Sequence, residues 1–262
     1  RLMLLEVKDL DISYGDKLTV TGASLELDKG EIMSIVGESG SGKTTVIRAI
    51  MGCLPGAGRV SRGSIIFDGK DVLQNTPDEW RKMYGSEMSM IFQDSGNMIN
   101  PIRRIGQQFI DYVQAHQPDQ AYKMCCDMLT NVRLPNPENI MNSYPFELSG
   151  GMRQRVGIAM AMIFSPKILL ADEPTSALDV TTQAQIIRQI VDIRDEYGVA
   201  VIMVTHNLGV ASYVSNKLMV MKGGHVVEYG KREDVIANPQ DDYTKQLLRA
   251  VPVIGGKTYY EQ

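Results

Sequence analysis

Residues 37–44 of the chain read GESGSGKT, a glycine-rich loop that ends in lysine and threonine. A short apolar run, EIMSIV at 31–36, precedes the loop, and an amphipathic stretch from Thr45 to Met51 follows it. Glycines let backbone N–H groups turn toward one phosphate, and the following helix points its positive end at the same group. The lysine can reach the β- and γ-phosphates, and the threonine hydroxyl can bind Mg²⁺. The loop therefore predicts an α/β nucleotide-binding fold in which a strand enters the phosphate cradle and a helix leaves it.

The composition limits the class of protein. The chain has 262 residues, 44% of them apolar, which is enough for one large domain. A net charge of −4 gives no basic surface for nucleic acid. The longest apolar runs fall short of the roughly 20 residues that cross a bilayer. The three cysteines have no metal-ligand spacing, and their small number favours a reduced cytosolic protein over a disulfide scaffold.

Strand patterns dominate the first part of the chain. The segments 3–13 and 18–27 alternate between apolar and polar residues and predict strands before the glycine-rich loop. The segment 63–72 predicts a further strand that turns at Asp68-Gly69. From about residue 97 to 162 the patterns are helical and polar, which predicts a helical insert.

Two buried strands are predicted in the second half. KILLADE at 167–173 and VAVIMVTH at 199–206 are apolar runs, and the stretch from Thr181 to Tyr197 between them is helical. This alternation predicts parallel strands joined by a crossover helix. The segment 218–230 predicts a hairpin through Gly223-Gly224. We therefore expect an α/β core, an antiparallel β layer at the front and a helical insert in the middle.

Polar side chains follow both of these strands. Asp172 and Glu173 come directly after ILLA, at the carboxyl end of a strand buried on both faces, where parallel sheets bind ligands. Asp172 suits the Mg²⁺ shell through water, and Glu173 is placed to polarise a water that attacks the γ-phosphate. His206 ends the neighbouring strand and would arrive near the same phosphate. Taken alone, the acids could cap a strand and the histidine could be structural; beside Lys43 we interpret them as a site.

A second pair of glycines lies in LSGGMRQR at 148–155, and it also precedes a predicted helix. A serine hydroxyl together with the amides of a helix N-terminus forms an anion site. The same residues are equally consistent with an ordinary helix that Ser149 caps. Spacing alone does not decide between these readings.

Seven features, in family order along the chain, resemble those of the ATP-binding subunits of ABC transporters. GESGSGKT resembles the Walker A motif and ILLADE the Walker B motif. Tyr14, 23 positions before Gly37, resembles the aromatic residue that stacks on adenine, although a strand tyrosine is also consistent with packing alone. The other motifs are similar to the Q-loop in IFQD with Gln93, the signature in LSGGMRQR, the D-loop in SALD at 176–179 and the H-loop at His206.

The resemblance implies a P-loop NTPase (RecA-like) core with an antiparallel β subdomain and an inserted helical subdomain. A single ABC ATPase domain would span residues 1–252. Within it, residues 1–94 and 163–230 would form the core with the β subdomain, and about 95–162 the helical subdomain. Residues 231–262 would form a C-terminal helical tail.

The resemblance also implies ATP and Mg²⁺ as cofactors. Glu173 and His206 would be catalytic residues, and Mg²⁺ would be held by Thr44, Gln93 and, through water, Asp172. The residues implied to bind ATP within the chain are Tyr14, Gly37, Glu38, Ser39, Gly40, Ser41, Gly42, Lys43, Thr44, Thr45 and Gln93.

In this family the signature loop serves the nucleotide of a second subunit. Two subunits would meet head to tail, with the signature loop of each against the γ-phosphate that Lys43 of the other holds. The implied signature contacts are Ser149, Gly150 and Gly151, and the implied D-loop residues at the dimer interface are Ser176, Ala177, Leu178 and Asp179.

Longer segments, such as 144–161 and 171–186, resemble the peptide/nickel importer branch of the family. The branch implies an ATPase that powers uptake of peptides, nickel or a related small solute. Its implied partners are a second ATP-binding subunit, identical or paralogous, two transmembrane permease subunits and, indirectly, an extracytoplasmic solute-binding protein, with no nucleic acid. The chain would then be peripheral at the cytoplasmic face of the cell membrane. Two segments depart from the branch: Asn207 stands where Asp usually follows the histidine, and QDSGNMINP at 93–101 replaces a more usual proline-containing tail.

Three other classes share part of the pattern. A soluble ABC ATPase of the translation or DNA-repair type commonly has two cassettes or a long coiled-coil insertion, whereas this chain has one cassette and a short span between Gln93 and Ser149. A P-loop kinase or GTPase does not require a motif such as LSGGMRQR. A regulatory subunit that does not hydrolyse ATP would not need Glu173 and His206.

Overall fold

The apolar runs of the sequence pair into one sheet. The computed structural model describes residues 3–93, 99–115 and 119–251. Within these ranges ten strands are joined in the spatial order β5-β4-β1-β2-β10-β9-β3-β8-β7-β6. Along the chain the strands are β1 (Leu5–Tyr14), β2 (Lys17–Leu27), β3 (Ile32–Val36), β4 (Gly58–Phe67), β5 (Lys70–Asp71), β6 (Met88–Ile91), β7 (Ile168–Asp172), β8 (Ala200–Thr205), β9 (Lys217–Lys222) and β10 (His225–Lys231).

Helices fill the connections between these strands. Short 3-10 turns also occur at Val72–Gln74 and Pro145–Glu147. The α-helices in the described ranges are α1 (Lys43–Ile50), α2 (Pro77–Met83), α3 (Ile105–Gln114), α4 (Ala121–Asn131), α5 (Pro137–Asn142), α6 (Gly150–Met162), α7 (Val180–Tyr197), α8 (Leu208–Val214), α9 (Arg232–Ala237) and α10 (Asp242–Arg249).

The parallel part of the sheet carries the predicted ligand-binding edge. β3 pairs in parallel with β8 and β9, and β7 pairs in parallel with β8 and β6. Every residue of β3, β7 and β8 is buried, as expected for strands covered on both faces. The helix α7 connects β7 to β8, so the predicted parallel pair with its crossover helix is confirmed.

The strand β6 was not predicted from the sequence. Its four residues, MSMI, are all buried and pair with β7 from Met88 beside Ile168 onward. A segment of four residues, three of them apolar, is too short to show a periodicity that distinguishes a strand from a buried helix turn. The strand matters for the site because it leads directly toward Gln93.

The antiparallel layer at the front is confirmed. β1 pairs antiparallel with both β2 and β4, and β4 with β5. The turn at Asp68-Gly69 has positive φ at both residues, and so has the turn at Gly223-Gly224 between β9 and β10. This geometry is that of tight hairpin turns, which explains why both were readable from the sequence.

The helices α3 to α6 pack on the parallel sheet through one continuous apolar cluster. Phe109 of α3, Leu129 of α4 and Val156 of α6 are fully buried in it. The same cluster contains Leu169 of β7 and Ile186 of α7. Apolar contacts therefore tie the middle of the chain to the core, and the predicted domain boundaries stay predictions.

The C-terminal part of the chain contains α9 and α10. The predicted helical tail began at residue 231, one residue before α9. Its last part, 252–262, lies outside the described residues, as does 94–98, which carries most of the unusual Q-loop tail. In the part of the chain that the structure describes, no helix is both long and apolar enough to span a membrane.

Candidate nucleotide-binding site

The loop 37–44 joins the end of β3 to the start of α1 with little room for side chains. A Cβ atom at Gly37 would collide with the backbone carbonyl oxygen of Met221, and one at Gly42 would lie 2.9 Å from Val20. Gly42 also has a φ of 100°, which favours glycine. The helix was predicted from Thr45 and begins two residues earlier, at Lys43. The loop's last residues therefore already belong to the first helical turn, whose N–H groups have no helical partner.

Lys43 is buried in this cradle. Its ammonium group donates 2.8 Å hydrogen bonds to the carbonyl oxygens of Gly37 and Glu38. Burial lowers the pKa of the Lys43 ammonium, while the carboxylates of Glu173 and Asp172 act in the opposite direction. The carbonyls of the loop thus hold the Lys43 ammonium in the cradle, where the oxygens of a bound phosphate would be its negatively charged partners.

One polar atom in the loop indicates that the cradle suits a ligand. The Ser41 hydroxyl is buried and finds no hydrogen-bond partner among the described residues. Buried hydroxyls are nearly always paired, and an orphan next to a lysine ammonium and glycine amides fits a phosphate. The donor set of the loop therefore fits a nucleotide.

Thr44 and Asp172 meet across the start of α1 and the end of β7. The Thr44 hydroxyl donates a 2.8 Å hydrogen bond to Oδ1 of Asp172, which is almost fully buried. Burial raises the pKa of this carboxyl, and the bond from Thr44 and the charges of Arg48 and Lys43 reduce the rise. A hydroxyl and a carboxylate in contact are oxygen ligands of the kind that Mg²⁺ takes together with water and phosphate. The residues present therefore fit Mg²⁺.

Glu173 and His206 face each other at the ends of the neighbouring strands β7 and β8. Nδ1 of His206 lies 2.9 Å from Oε2 of Glu173. The register pairs Asp172 with Val204, which brings the two strand ends level. Glu173 has a φ of 46°, a left-handed conformation that a glutamate seldom adopts, and its N–H donates to the Val204 carbonyl. The acid is thus held in a strained turn, with the exposed imidazole beside it.

The predicted Q-loop and D-loop residues also meet. The Gln93 amide lies 3.5 Å from the Ser176 hydroxyl, at the limit of a hydrogen bond. The Ser176 N–H donates to the Glu173 carbonyl, so this contact sits next to the acid. Ala177 has a positive φ, and Asp179 caps α7 by accepting from the Thr182 N–H. Gln93 and the D-loop therefore lie on one side of Glu173.

Tyr14 ends β1 and is half-buried. A Cβ atom at Gly58 of β4 would lie 2.7 Å from its ring, so the ring lies against a glycine. This placement is consistent with packing and with adenine stacking alike, and the stacking role stays a prediction.

The signature residues lie at the start of α6. Ser149 is exposed, and its hydroxyl accepts a hydrogen bond from the Met152 N–H as the helix cap. Gly151 lies against Thr182, 2.6 Å from where a Cβ would be, and Gly150 lies against Leu178 of the D-loop. Within the described ranges no hydrogen bond links Ser149, Gly150 or Gly151 to the loop 37–44. One chain therefore brings together the Walker motifs and the D-loop but leaves the signature loop without a nucleotide partner.

Two features beside the cradle had no clear signal in the sequence. The backbone carbonyl of Met221, at the end of β9, leaves no room for a side chain at position 37. Tyr243, in the first turn of α10, accepts a hydrogen bond from the Glu38 N–H. Neither position belongs to a phosphate-binding motif, so only the fold reveals them.

The departure at Asn207 has a structural explanation. Its side chain accepts a 3.1 Å hydrogen bond from the Val210 N–H and caps α8. Asparagine and aspartate are equally good helix N-caps, so this substitution preserves the start of α8.

Comparisons with known proteins agree with this geometry. The sequence pattern of the ABC transporter family matches residues 20–176. The chain is 42% identical to the oligopeptide transport ATP-binding protein OppD of Bacillus subtilis over 259 residues, covering 96% of this chain and 72% of that protein. It is 39% identical to the dipeptide transport ATP-binding protein DppD of Lactococcus lactis, covering 96% of this chain and 74% of that protein.

Solved structures of ABC cassettes have the same fold. CbiO1 of Clostridium perfringens, part of the ABC transporter complex cbiONQ, aligns with a TM-score of 0.79 at 26% identity, covering 91% of this chain and 92% of that one. The cassette MJ0796, a dimer bound to ADP and Pi in a post-hydrolysis state, aligns with a TM-score of 0.75 at 26% identity, covering 87% and 98%. The fold, the family pattern and the relatives agree, and the chain belongs to the ABC transporter family as one of its ATP-binding cassette ATPases.

Proposed function

We propose that this protein is the ATP-binding and ATP-hydrolysing subunit of an ABC importer that takes up peptides. The relatives named above are oligopeptide and dipeptide transport proteins, which favours peptides over nickel or another small solute. The observation that carries the proposal is the grouping of Lys43, Thr44, Asp172, Glu173 and His206 at one edge of the parallel sheet. The alternative, an ABC ATPase of the translation or DNA-repair type, has no comparable support among these relatives.

The predicted residues have distinct roles in hydrolysis. Lys43 would move from the carbonyls of its own loop to the β- and γ-phosphates. Glu173 would orient and partly deprotonate the attacking water, and His206 would hold Glu173 and the γ-phosphate in line. Bound Mg²⁺ would neutralise the developing charge on the phosphates. The ion would be held by Thr44, Gln93 and, through water, Asp172. This role would explain why a carboxylate occupies the buried position 172, although burial raises its pKa.

The signature loop is proposed to complete the site of a second subunit. Ser149 is exposed, and Gly150 and Gly151 begin a helix whose positive end points outward. A dimeric cassette among the similar structures supports this assembly. Ser176, Ala177, Leu178 and Asp179 would then lie at the interface, and ATP would join the two subunits until hydrolysis removes the γ-phosphate.

The remaining partners are inferred from the resemblance to the importer branch. We infer two transmembrane permease subunits, an extracytoplasmic solute-binding protein that acts through them, and a peripheral position at the cytoplasmic face of the membrane. Gln93 is exposed and touches the D-loop at Ser176, so it is placed to relay the nucleotide state to a permease. The predicted division into a core, a helical subdomain at about 95–162 and a tail from 231 belongs to the same proposal.

Phosphate release and co-purification test this function together. We expect the purified chain to release phosphate from Mg-ATP and to form dimers that depend on ATP. Expressed in its own cell with an affinity tag, the chain should co-purify with hydrophobic permease subunits. Isolation with ribosomes or DNA in place of permeases would favour the alternative and overturn transport.

A further inference from the structure

The end of the described chain is fastened to the sheet beside the phosphate cradle. The Glu228 carboxylate on β10 accepts hydrogen bonds from two successive backbone N–H groups, those of Gln240 at 2.8 Å and Asp241 at 3.2 Å. Asp241 in turn caps α10 by accepting from the Tyr243 N–H. These bonds fix where α10 starts and aim its first turn at the loop 37–44.

Tyr243 in this first turn reaches the loop itself. The Glu38 N–H donates a 3.0 Å hydrogen bond to the Tyr243 hydroxyl, across 205 positions of sequence. The ammonium of Lys222, at the end of β9, lies 4.9 Å from the centre of the Tyr243 ring, within the range of a cation–π interaction. The phenol is half-buried, and both its ring and its hydroxyl are engaged.

Apolar contacts extend the attachment to both sides of the catalytic edge. Leu248 of α10 is buried in a small cluster with Val36, the residue before Gly37, and with Leu208 of α8. Val251 lies 3.1 Å from where a Cβ of Gly209 would be. The segment 240–251 therefore contacts the strand that enters the cradle and the helix that follows His206.

Three hydrogen bonds hold the Glu38 backbone. Its N–H donates to Tyr243, and its carbonyl accepts from the Lys43 ammonium and from the Ser41 N–H within the same loop. When the lysine turns to phosphate, the carbonyl keeps the bond from Ser41, and the bond to Tyr243 is the one that ties Glu38 to a segment outside the loop. A loop already held in its binding shape loses less conformational entropy when the nucleotide binds.

We propose that Tyr243 is a positioning residue for the phosphate cradle, and that the C-terminal segment 240–251 thereby sets the affinity for nucleotide. The inference rests on the proposed ATP-binding function and adds to it an element outside the phosphate-binding motifs. Tyr243 touches neither substrate nor metal in this role. It acts through the Glu38 backbone, so its loss should weaken binding of the ground state and the transition state equally.

The test compares Tyr243→Phe with Tyr229→Phe. The first variant keeps the ring and its contact with Lys222 and removes only the hydroxyl. The second is a control away from the cradle, because the Tyr229 hydroxyl accepts a 3.0 Å hydrogen bond from the Glu26 N–H and donates a 3.2 Å bond to the Glu26 carbonyl. Tyr229→Phe should therefore cost at least as much folding stability as Tyr243→Phe, while only Tyr243→Phe touches the cradle.

We expect Tyr243→Phe to raise the dissociation constant of a fluorescent ATP analogue about 2- to 10-fold, the range of one hydrogen bond. The KM for ATP should rise by the same factor with kcat unchanged, a pattern that general destabilisation does not produce. Tyr229→Phe should leave the dissociation constant and KM at their wild-type values.

Three results would count against the inference. Equal shifts in the two variants, an unchanged dissociation constant in Tyr243→Phe, or a lower kcat at constant KM would each overturn the role of Tyr243 and leave ATP binding by the wild type intact. A wild-type chain that does not bind the analogue would overturn the proposed function and this inference with it.

Discussion

The chain contains two glycine turns before helices, and they differ in what surrounds them. The loop 37–44 is enclosed: Lys43 is buried against its own carbonyls, Thr44 contacts Asp172, and Met221 leaves no space for a side chain at Gly37. The turn at 149–151 is more open: Ser149 is exposed, and within the described residues its hydroxyl bonds only to the Met152 N–H of its own helix. Similar local sequence thus gives one cradle with catalytic groups and one without.

This difference explains why two cradles occur in one chain. An enclosed loop can bind a nucleotide and position a water, but it presents the far side of the γ-phosphate to solvent. An open helix start has free N–H groups and positive charge but nothing to hold a nucleotide. In the proposed dimer each turn would supply what the other lacks, with the open turn of one subunit against the enclosed loop of the other.

The largest expected effect concerns ATP hydrolysis, the step that would separate the two subunits of the proposed dimer. Glu173→Gln removes the proton acceptor and keeps its shape, so turnover should fall about 10²- to 10⁴-fold while nucleotide still binds. ATP-bound dimers should then outlast those of the wild type. Phosphate release and size-exclusion chromatography in ATP measure both effects.

An exposed carboxylate at the end of α7 provides the control for this variant. Glu196→Gln should leave turnover and dimer lifetime unchanged. Normal turnover in Glu173→Gln would remove Glu173 from the role of general base, whatever the control shows.

The next effect tests whether the open turn works on the other subunit. Ser149→Ala should reduce turnover about 10²- to 10³-fold, the usual cost of one donor to a developing charge. Lys43→Ala should weaken nucleotide binding itself. Mixing the two variants should recover turnover, because a mixed dimer contains one site with both Lys43 and Ser149.

Absence of any recovery in that mixture, with mixed dimers present, would place both residues in one site within a single chain. The helix cap is a separate contribution, since Ser149→Ala also costs about 1 kcal/mol of folding free energy. Thr76→Ala, which removes the cap of α2, measures that contribution away from the site.

A smaller effect compares the two turns by stability. Gly37→Ala should lower the free energy of unfolding by about 1–3 kcal/mol, because the new Cβ meets backbone. Gly150→Ala should change it by less than about 0.5 kcal/mol, since its Cβ meets only the Leu178 side chain at 3.3 Å. Turnover should nevertheless fall in Gly150→Ala if the open turn approaches a phosphate.

Thermal melting of the two variants without nucleotide gives this comparison directly. At this chain length 1 kcal/mol shifts the melting temperature by about 2–4 °C. Equal destabilisation by both substitutions would contradict the contrast between an enclosed and an open turn.

The smallest effect concerns the charge inside the enclosed cradle. Burial raises the pKa of Asp172 above its ordinary 3.8, so the folded state favours the protonated carboxyl. The stability that this preference provides is present below the ordinary pKa and is lost as the pH rises through the folded value. At neutral pH the charged Asp172 therefore costs stability, and Asp172→Asn should melt higher than the wild type without Mg-nucleotide.

The advantage of Asp172→Asn should shrink as the pH is lowered toward the ordinary carboxyl range, and Mg-ATP should stabilise the variant less than the wild type. Melting curves across this pH range, with and without Mg-ATP, provide the check. A variant that melts lower at neutral pH would contradict a burial cost at Asp172.

Local patterns predicted a large part of the fold. The three buried strands β3, β7 and β8, the front layer and both glycine hairpins follow from periodicity and turn residues, which act over a few neighbouring positions. The strand β6 was not predicted because its four residues are too few to show a period. The start of α1 was placed too late because the loop's own lysine opens the helix.

The candidate site also contains residues that the sequence indicated and contacts that it did not. Lys43, Asp172 and Glu173 lie in motifs whose spacing indicates phosphate chemistry, so the sequence indicated them. The contact between Glu38 and Tyr243 joins a loop to a helix near the opposite end of the chain, and no local pattern encodes it. Such a contact depends on where β9 and β10 place the tail.

The sequence by itself determined which residue types occupy the two glycine turns, where most of the parallel strands run and what chemistry their carboxyl ends can carry. Only the tertiary structure decided which of these groups meet: Thr44 with Asp172, Glu173 with His206, and Tyr243 with Glu38. The physical reason is range. Backbone preferences and periodicity are local properties, whereas contacts between distant segments are set by strand order and packing, which the whole chain determines together.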